Sequence, residues 1–408
     1  MKIAIISDFH IGYERFYEDA YIQAKNALDL AASMADALII PGDVFDKRNP
    51  KPEVLAQAIN IFRELKQRHW NAHVVSFSSA NNTKIHTNIP IIAIPGTHER
   101  TAEGKENPLT LLSLAGLLVD NSESVVTIKK DDECVSIFAL GGLSEEMVKP
   151  RLKELDPKPV PNNFNIFMFH QSTYELLPFS EHFIHNDELP QGYDLYVNGH
   201  IHNKVIDKIH NKDFLIPGST VLTQLKDGEQ EEKGFFIYDT VTKTFDFIKI
   251  KSRPFTSIRI KIDSVTPKKF SETLEYEISS VIEKYLPEKP IIKVNVSGNI
   301  EKGFKRLDMP IRSILVRFED KVYLEIETKD LVDAETEKQI ADIQEGKMYG
   351  QSIKEYGSNL FRSKLTEHGF DININVMELF AILCSSKKER ALKEANEFFD
   401  KISNPISS

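Results

Sequence analysis

Apolar residues fall in short bursts along the first hundred positions, and each burst ends on a polar cluster. Residues 1–6 form a β-branched run suited to a buried strand and too short for a helix, and they end in Ser7-Asp8-Phe9-His10. Residues 14–34 then place Tyr17, Tyr21, Ala24, Leu28 and Ala31 at three- and four-residue steps, which predicts an amphipathic helix. A second apolar run at 37–40 closes on Pro41-Gly42-Asp43. A second helix follows over 53–68, with Leu55, Ile59, Phe62 and Leu65 on one face. Residues 71–88 are polar and poorly periodic and predict a long loop or a marginal hairpin. A third run at 89–94 ends in Pro95-Gly96-Thr97-His98-Glu99-Arg100. Strands alternating with helices in this way predict an α/β fold.

From about residue 123 the pattern changes to strands separated by turns. They are expected at 124–128, 135–140, 164–169, 194–197, 214–216, 234–238 and 245–250. The third ends in His170, the fourth leads into Asn198-Gly199-His200-Ile201-His202, and the fifth into Pro217-Gly218-Ser219. Pro254 marks a boundary, giving a first domain over 1–253. Residues 254–328 read as a small α+β unit, with strands at 257–262, 290–296, 311–317 and 322–327 and a helix at 270–285. Residues 329–349 are charged and poor in large apolar side chains, as in a linker. A helical tail over 350–403 holds segments at 351–368, 376–383 and 388–402. Its apolar stripes, Leu360-Phe361-Leu365 and Val376-Leu379-Phe380-Leu383, have little core of their own and call for a partner.

A chain of 408 residues with 41% apolar and 27% charged content is an ordinary globular protein of about two to three domains. Its net charge of −10 argues against bulk electrostatic capture of nucleic acid but leaves room for a local basic face. Arg253, Arg259, Lys261, Lys268, Lys269, Lys302, Lys305 and Arg306 are the basic residues of the small unit. Cys134 and Cys384 form no disulfide or thiolate-metal spacing. No apolar run approaches the ~18 residues of a membrane span, and Asp8 and His10 interrupt the N-terminal run that a signal peptide would need. A cytoplasmic protein with no membrane partner is expected.

Asp8 and His10 are two residues apart, so in extended chain both would project to the same side, towards one metal ion. Alone, such a pair is an ordinary strand rim. Five strand ends, however, carry polar residues: Asp8/His10, Gly42-Asp43, Gly96-Thr97-His98-Glu99, His170 and Gly199-His200-Ile201-His202. In α/β sheets the carboxyl ends of strands line one crevice, where such residues meet. Carboxylate and imidazole without thiolate suit Mn, Fe or Zn. Two ions roughly 3.5–4 Å apart need a bridging carboxylate, for which Asp43 is the candidate. His69, His73, His86, His182, His185 and His210 fit no motif and are expected on the surface or in loops.

The order of these motifs resembles the calcineurin-like metallophosphoesterase superfamily over residues 1 to about 250. Three runs are similar to its branch of SbcD-type double-strand-break repair nucleases. They are Gly42-Asp43-Val44-Phe45-Asp46 with Pro50 and Pro52, Phe169-His170-Gln171, and Leu189-Pro190-Gln191-Gly192-Tyr193-Asp194 before Gly199-His200-Ile201-His202; Pro217-Gly218-Ser219 also matches. The resemblance implies a four-layer sandwich, two β-sheets flanked by helices, with a DNA-capping domain and an ATPase-binding helical tail. It implies two Mn²⁺ ions, one held by Asp8, His10, Asp43 and His202. Asp43 would bridge to the other, held also by His170, His200 and Thr97. His98 would act on the scissile phosphate without binding metal. The activity implied is endonucleolytic cleavage of single-stranded DNA and degradation of duplex ends from the 3′ side. The partners implied are DNA, a second copy of the chain, paired through the helices at 15–33 and 53–68, and an SbcC-type coiled-coil ABC ATPase bound through 350–403.

Two departures bear on the site. Thr97 stands where the family carries asparagine, and its shorter hydroxyl is a weaker donor to the second ion. Asp46 stands where many members carry a DNA-positioning histidine, although the bacterial type also carries aspartate. Arg100 follows His98 and could reach a phosphate or form a surface ion pair. Two other readings remain open: a phosphoesterase acting on nucleotides or small phosphodiesters, and a non-catalytic DNA-tethering scaffold. A hydrogen bond from His98 to Asp43 is compatible with either role for His98.

Overall fold

The computed structural model describes residues 1–79, 87–101, 105–180, 182–225, 232–333 and 353–367. Two units are distinguished, Met1–Thr256 and Ser257–Ser408. In the first, the apolar bursts form the parallel strands β1 (Lys2–Ile5), β2 (Ala37–Ile40), β4 (Ile91–Ala93) and β5 (Val119–Asp120). Helices α1 (Tyr17–Met34), α2 (Pro52–Lys66) and α3 (Pro108–Leu114) lie between them in the chain. Proline at the first turn suits the start of α2 and α3, where an N–H would have no helical partner, and the Asn107 side chain caps α3 at Thr110 N. Strands β12 (Gly234–Asp239) and β13 (Thr244–Lys249) complete a six-stranded sheet in the order β13-β12-β1-β2-β4-β5.

A second sheet of seven strands runs β10-β11-β9-β8-β7-β6-β3. Its members are β3 (His73–Ser79), β6 (Ser124–Lys130), β7 (Glu133–Leu140), β8 (Phe164–Phe169), β9 (Leu195–Asn198), β10 (Val205–Ile209) and β11 (Lys212–Ile216). Helix α4 (Glu145–Leu155) follows β7. Alternation along the strands sorts side chains between layers. On the first sheet, Ala4 packs under the helices with Ala24, Leu28 and Phe62, whereas Ile3 and Ile5 turn inwards. There they meet Ile137, Ile166 and Leu195 of the second sheet. Phe167 and Phe169 face the other way, onto Val148 and Leu152 of α4. Three cores therefore separate four layers: helices, sheet, sheet, helix. Each fully buried Ile or Phe contributes about 1.5–3 kcal/mol, so the layering is set by many such positions together.

The second unit has the sheet order β14-β15-β16, with β14 (Phe255–Val265), β15 (Ile291–Ile300) and β16 (Tyr323–Val332). Helix α5 (Pro267–Tyr285) buries Phe270, Leu274 and Ile278 in one core with Ile262, Ile292 and Val294. Helix α6 (Ile311–Phe318) adds Ile314 and Phe318 to it, and α7 (Ile353–Glu367) is the last described element.

Several expectations are corrected. Residues 311–317 are helical rather than extended: Ile311, Ile314 and Phe318 are spaced for one helix face, and Val316 is left exposed. Part of the stretch read as loop is β3, an edge strand paired with β6, whose bulge between Val74 and Ser76 breaks the alternation that would have marked it. The expected linker begins later than 329, because β16 continues to Val332. The tail segments 376–383 and 388–402, His86 and Cys384 lie outside the described residues. Among the described residues no helix is long and apolar enough to cross a membrane.

Candidate metal centre

The site forms where β1, β2, β4, β8 and β9 end on the same edge of the two sheets. A bridge between Ser7 and Ser219 joins the sheets there, and Thr220 N–H donates to Asp8 O at 3.3 Å. The chain after β1 does not continue as a strand. Asp8 and His10 have φ of 55° and 48°, so they reach a common point through two left-handed residues rather than by strand alternation, which corrects the expected geometry. Asp43 (φ 51°) and His200 (φ 71°) are left-handed too. Non-glycine residues rarely adopt this region, and such strain concentrates where side chains must converge. Backbone bonds hold the conformations: Asp8 N–H to Gly42 O at 3.2 Å and His10 N–H to Asp43 O at 3.1 Å. At Gly42 a Cβ would overlap the His170 ring, so only glycine lets the turn after β2 pass so close to it.

Two inner groups of side chains result, and His10, Asp46 and His98 form a third nearer the surface. In the first, Asp8 Oδ1 lies 3.9 Å from both His10 Nε2 and His202 Nε2, and the two imidazole nitrogens are 3.1 Å apart. In the second, Asp8 and Asp43 meet His170, whose Nε2 is 3.3 Å from Asp43 Oδ2. His200 adjoins them: its N–H donates to Asp8 Oδ1 at 3.2 Å and its ring packs edge-on to that of His170. Thr97 Oγ1 is 3.5 Å from His200 Nδ1, and Ser172 Oγ is 2.9 Å from His200 Nε2.

Burial and mutual pairing set the charges at the site. Burial pushes the Asp8 carboxyl up to about 6. Burial also opposes charge on Asp43 and His170, but each stabilises the other: Asp43 is held below the usual carboxylate range, and His170 is raised to about 9. Burial and the His170 charge lower His200 to about 4, and burial with His10 lowers His202 further, so both present neutral rings. His10 Nδ1, Asp43 Oδ2 and His170 Nε2 are buried without a hydrogen-bond partner. Buried carboxylates and imidazoles, with His200 and His202 neutral and Asp43 Oδ2 and His170 Nε2 unsatisfied, fit divalent metal ions.

His98 stands at the lip, with 43% of its side chain exposed. Its hydrogen bond to Asp43 comes from the backbone N–H, at 3.0 Å, and not from the ring. The ring Nδ1 instead lies 2.7 Å from the Asp46 carbonyl oxygen. Asp46 Oδ1 is 3.5 Å from His10 Nδ1, so this residue sits between two site histidines. Arg100 lines a cavity of about 400 Å³ with Thr97, Gln171, Ser172 and His200.

Other residues support the site. Glu99 is fully buried and accepts the N–H groups of Gly96 and Phe45, each at 2.8 Å, which ties the β4 loop to the β2 loop. Burial and the neighbouring Asp43 charge raise it to about 8. Lys233 Nζ donates to His202 O at 3.1 Å and to Ser219 Oγ at 3.0 Å. Thr223 bonds the His202 ring at Nδ1. These partners are set by tertiary contacts, which no local spacing announces; only Glu99, inside the Gly96-Thr97-His98-Glu99 run, was visible beforehand. Of the unassigned histidines, His69, His73 and His182 are exposed, and His210 bonds Leu189 O at 2.9 Å.

Residues 1–204, half of the 408, match the family model of the calcineurin-like phosphoesterases, and the chain belongs to that family. It is a phosphoesterase, a hydrolase of phosphate esters. Beyond the family, it is 27% identical over 289 residues to the double-strand break repair protein MRE11 of Encephalitozoon cuniculi, covering 64% of this chain and 50% of that one. To the DNA double-strand break repair protein Mre11 of Methanocaldococcus jannaschii it is 25% identical over 325 residues, covering 75% and 78%. To that of Methanopyrus kandleri it is 26% identical over 262 residues, covering 59% and 54%. The chain thus spans about half the length of several curated relatives it matches.

Proposed function

We propose that the chain is a manganese-dependent DNA nuclease that processes the ends of double-strand breaks in the cytoplasm. It would cut single-stranded DNA internally and degrade duplex ends from the 3′ side. The observation that carries this reading is the convergence of Asp8, His10, Asp43, His170, His200 and His202 into two adjoining groups that share Asp8, with His98 exposed beside them. The repair role named for its relatives supports DNA as the substrate.

Asp8, His10, Asp43 and His202 would hold one Mn²⁺, and Asp43, His170, His200 and Thr97 the other. Bound there, the two cations would neutralise phosphodiester charge and lower the pKa of a shared water. The protein's own part is orientation and proton movement. The Asp46 carbonyl fixes the His98 ring through Nδ1, which leaves Nε2 to carry a proton to the leaving oxygen. Arg100, exposed on the same loop, would meet an adjacent phosphate.

In this reading 254–328 is the domain that closes over DNA. Residues 329–349 link it to 350–403, the segment that binds a coiled-coil ABC ATPase. The exposed Ile22, Leu30, Met34 and Ile59 of α1 and α2 suit a homodimer surface. The test is cleavage by the full chain in Mn²⁺ of linear duplex, hairpin and single-stranded DNA, alongside bis-p-nitrophenyl phosphate. Metal-dependent DNA cleavage is expected. Hydrolysis of the small ester alone would replace the nuclease reading with a small-phosphodiester hydrolase.

A further inference from the structure

We propose that Ser172 is the positioning residue of the second metal position, fixing which ring nitrogen His200 turns towards the ion. The inference rests on the two-metal reading above. A neutral imidazole has one N–H and one lone pair, and whatever bonds the outer nitrogen decides which nitrogen can ligate. Three site histidines have that nitrogen, Nδ1, engaged: His170 by Pro41 O at 2.7 Å, His98 by Asp46 O at 2.7 Å, and His202 by the Thr223 hydroxyl. In His170 and His202 it is Nε2 that then faces a site carboxylate.

His200 is turned the other way. Its Nε2 bonds Ser172 Oγ at 2.9 Å, and its Nδ1 faces Thr97 Oγ1, the other expected donor to the same ion. With Nε2–H donated to Ser172, the lone pair sits on Nδ1, on the side of Thr97. The residue before the serine is held in place. Gln171 N–H donates to Asn198 Oδ1 at 3.0 Å, Asn198 Nδ2 donates back to Gln171 O at 2.9 Å, and Gln171 Nε2 donates to Gly141 O at 2.7 Å. The ends of β8 and β9 therefore lock Ser172 against the His200 ring. Because Thr97 supplies only a short hydroxyl, the second ion leans on a correctly oriented His200.

The test is a Mn²⁺ titration of the full chain by calorimetry and electron paramagnetic resonance, with no substrate present. Wild type should take up two ions. Ser172→Ala should weaken the second by about 10–100-fold and leave the first and the melting temperature unchanged. Ser172→Thr, which keeps the hydroxyl, should restore it. A wild-type affinity for both ions in Ser172→Ala overturns the proposal, as does equal loss at both ions with a lowered melting temperature. A Ser172→Thr variant as weak as Ser172→Ala overturns it too. A wild-type chain that binds one ion only overturns the two-metal reading and the proposal with it, whereas a failure confined to the variants leaves the two-metal reading standing.

Discussion

The backbone N–H of His98 donates to Asp43 Oδ1 at 3.0 Å, so the His98 ring can be removed without breaking the bond that steadies the expected bridging carboxylate. His98→Ala should therefore keep both Mn²⁺ ions while DNA cleavage falls about 10²–10⁴-fold, the usual contribution of a general acid. Metal stoichiometry and cleavage rate measured on one preparation check this. Loss of an ion would make the ring a ligand or a structural support instead.

Thr97 Oγ1 lies 3.5 Å from His200 Nδ1, within the site but on a short side chain. Thr97→Asn places an amide oxygen, a stronger donor than the hydroxyl, one bond further out towards the second metal position. The second Mn²⁺ should bind about tenfold more tightly, and the first unchanged. Identical binding isotherms for the two proteins would show that position 97 does not ligate.

Gly96 is required for closeness rather than flexibility. A Cβ there would overlap the carboxylate and backbone nitrogen of Asp43. Gly96→Ala should displace the one carboxylate expected to serve both ions, weakening both and lowering cleavage by about 10² or more, the cost of a misplacement near 1 Å. Circular dichroism should show the secondary structure intact. An alanine variant with full metal occupancy would mean that the β4 loop can yield.

What the sequence made legible was the set of strand ends, because a short apolar run closed by Gly-Asp or Gly-x-His is a local signal. The runs alone predict an α/β fold, and the two-sheet layering rests on the family resemblance. Misreadings arose where local signals conflicted. Residues 311–318 are dense in β-branched and apolar side chains, and only the spacing of Ile311, Ile314 and Phe318 discloses the helix. Helix α4 was missed because Pro150 lies inside it and only Val148 and Leu152 are buried. Within the site, the identities of the converging residues were readable but their supports were not. Ser172, Thr223, Lys233 and the left-handed turns at Asp8 and His10 depend on chain segments brought together only by folding.

Asp36 joins the two sheets at the opposite end of β2 from Asp43. Its carboxylate accepts Lys2 N–H of β1, Asn71 Nδ2 and Lys130 Nζ of β6, each at 2.9 Å. Burial opposes the charge, but the bonds from Lys130, Lys2 and Asn71 outweigh it and hold the carboxyl below its ordinary value. A group whose folded value is lowered adds stability that is fully present above the ordinary carboxylate range, about pH 4, and is lost as pH falls through the folded value. Asp36→Ala should therefore cost about 1–3 kcal/mol near pH 7, since it orphans three donors at the sheet junction. The gap between wild type and variant should narrow below about pH 4 as wild-type Asp36 takes up a proton. Urea unfolding at pH 7 and pH 3 measures both. A gap that stays constant across that range would assign Asp36 a packing role with no part for its charge.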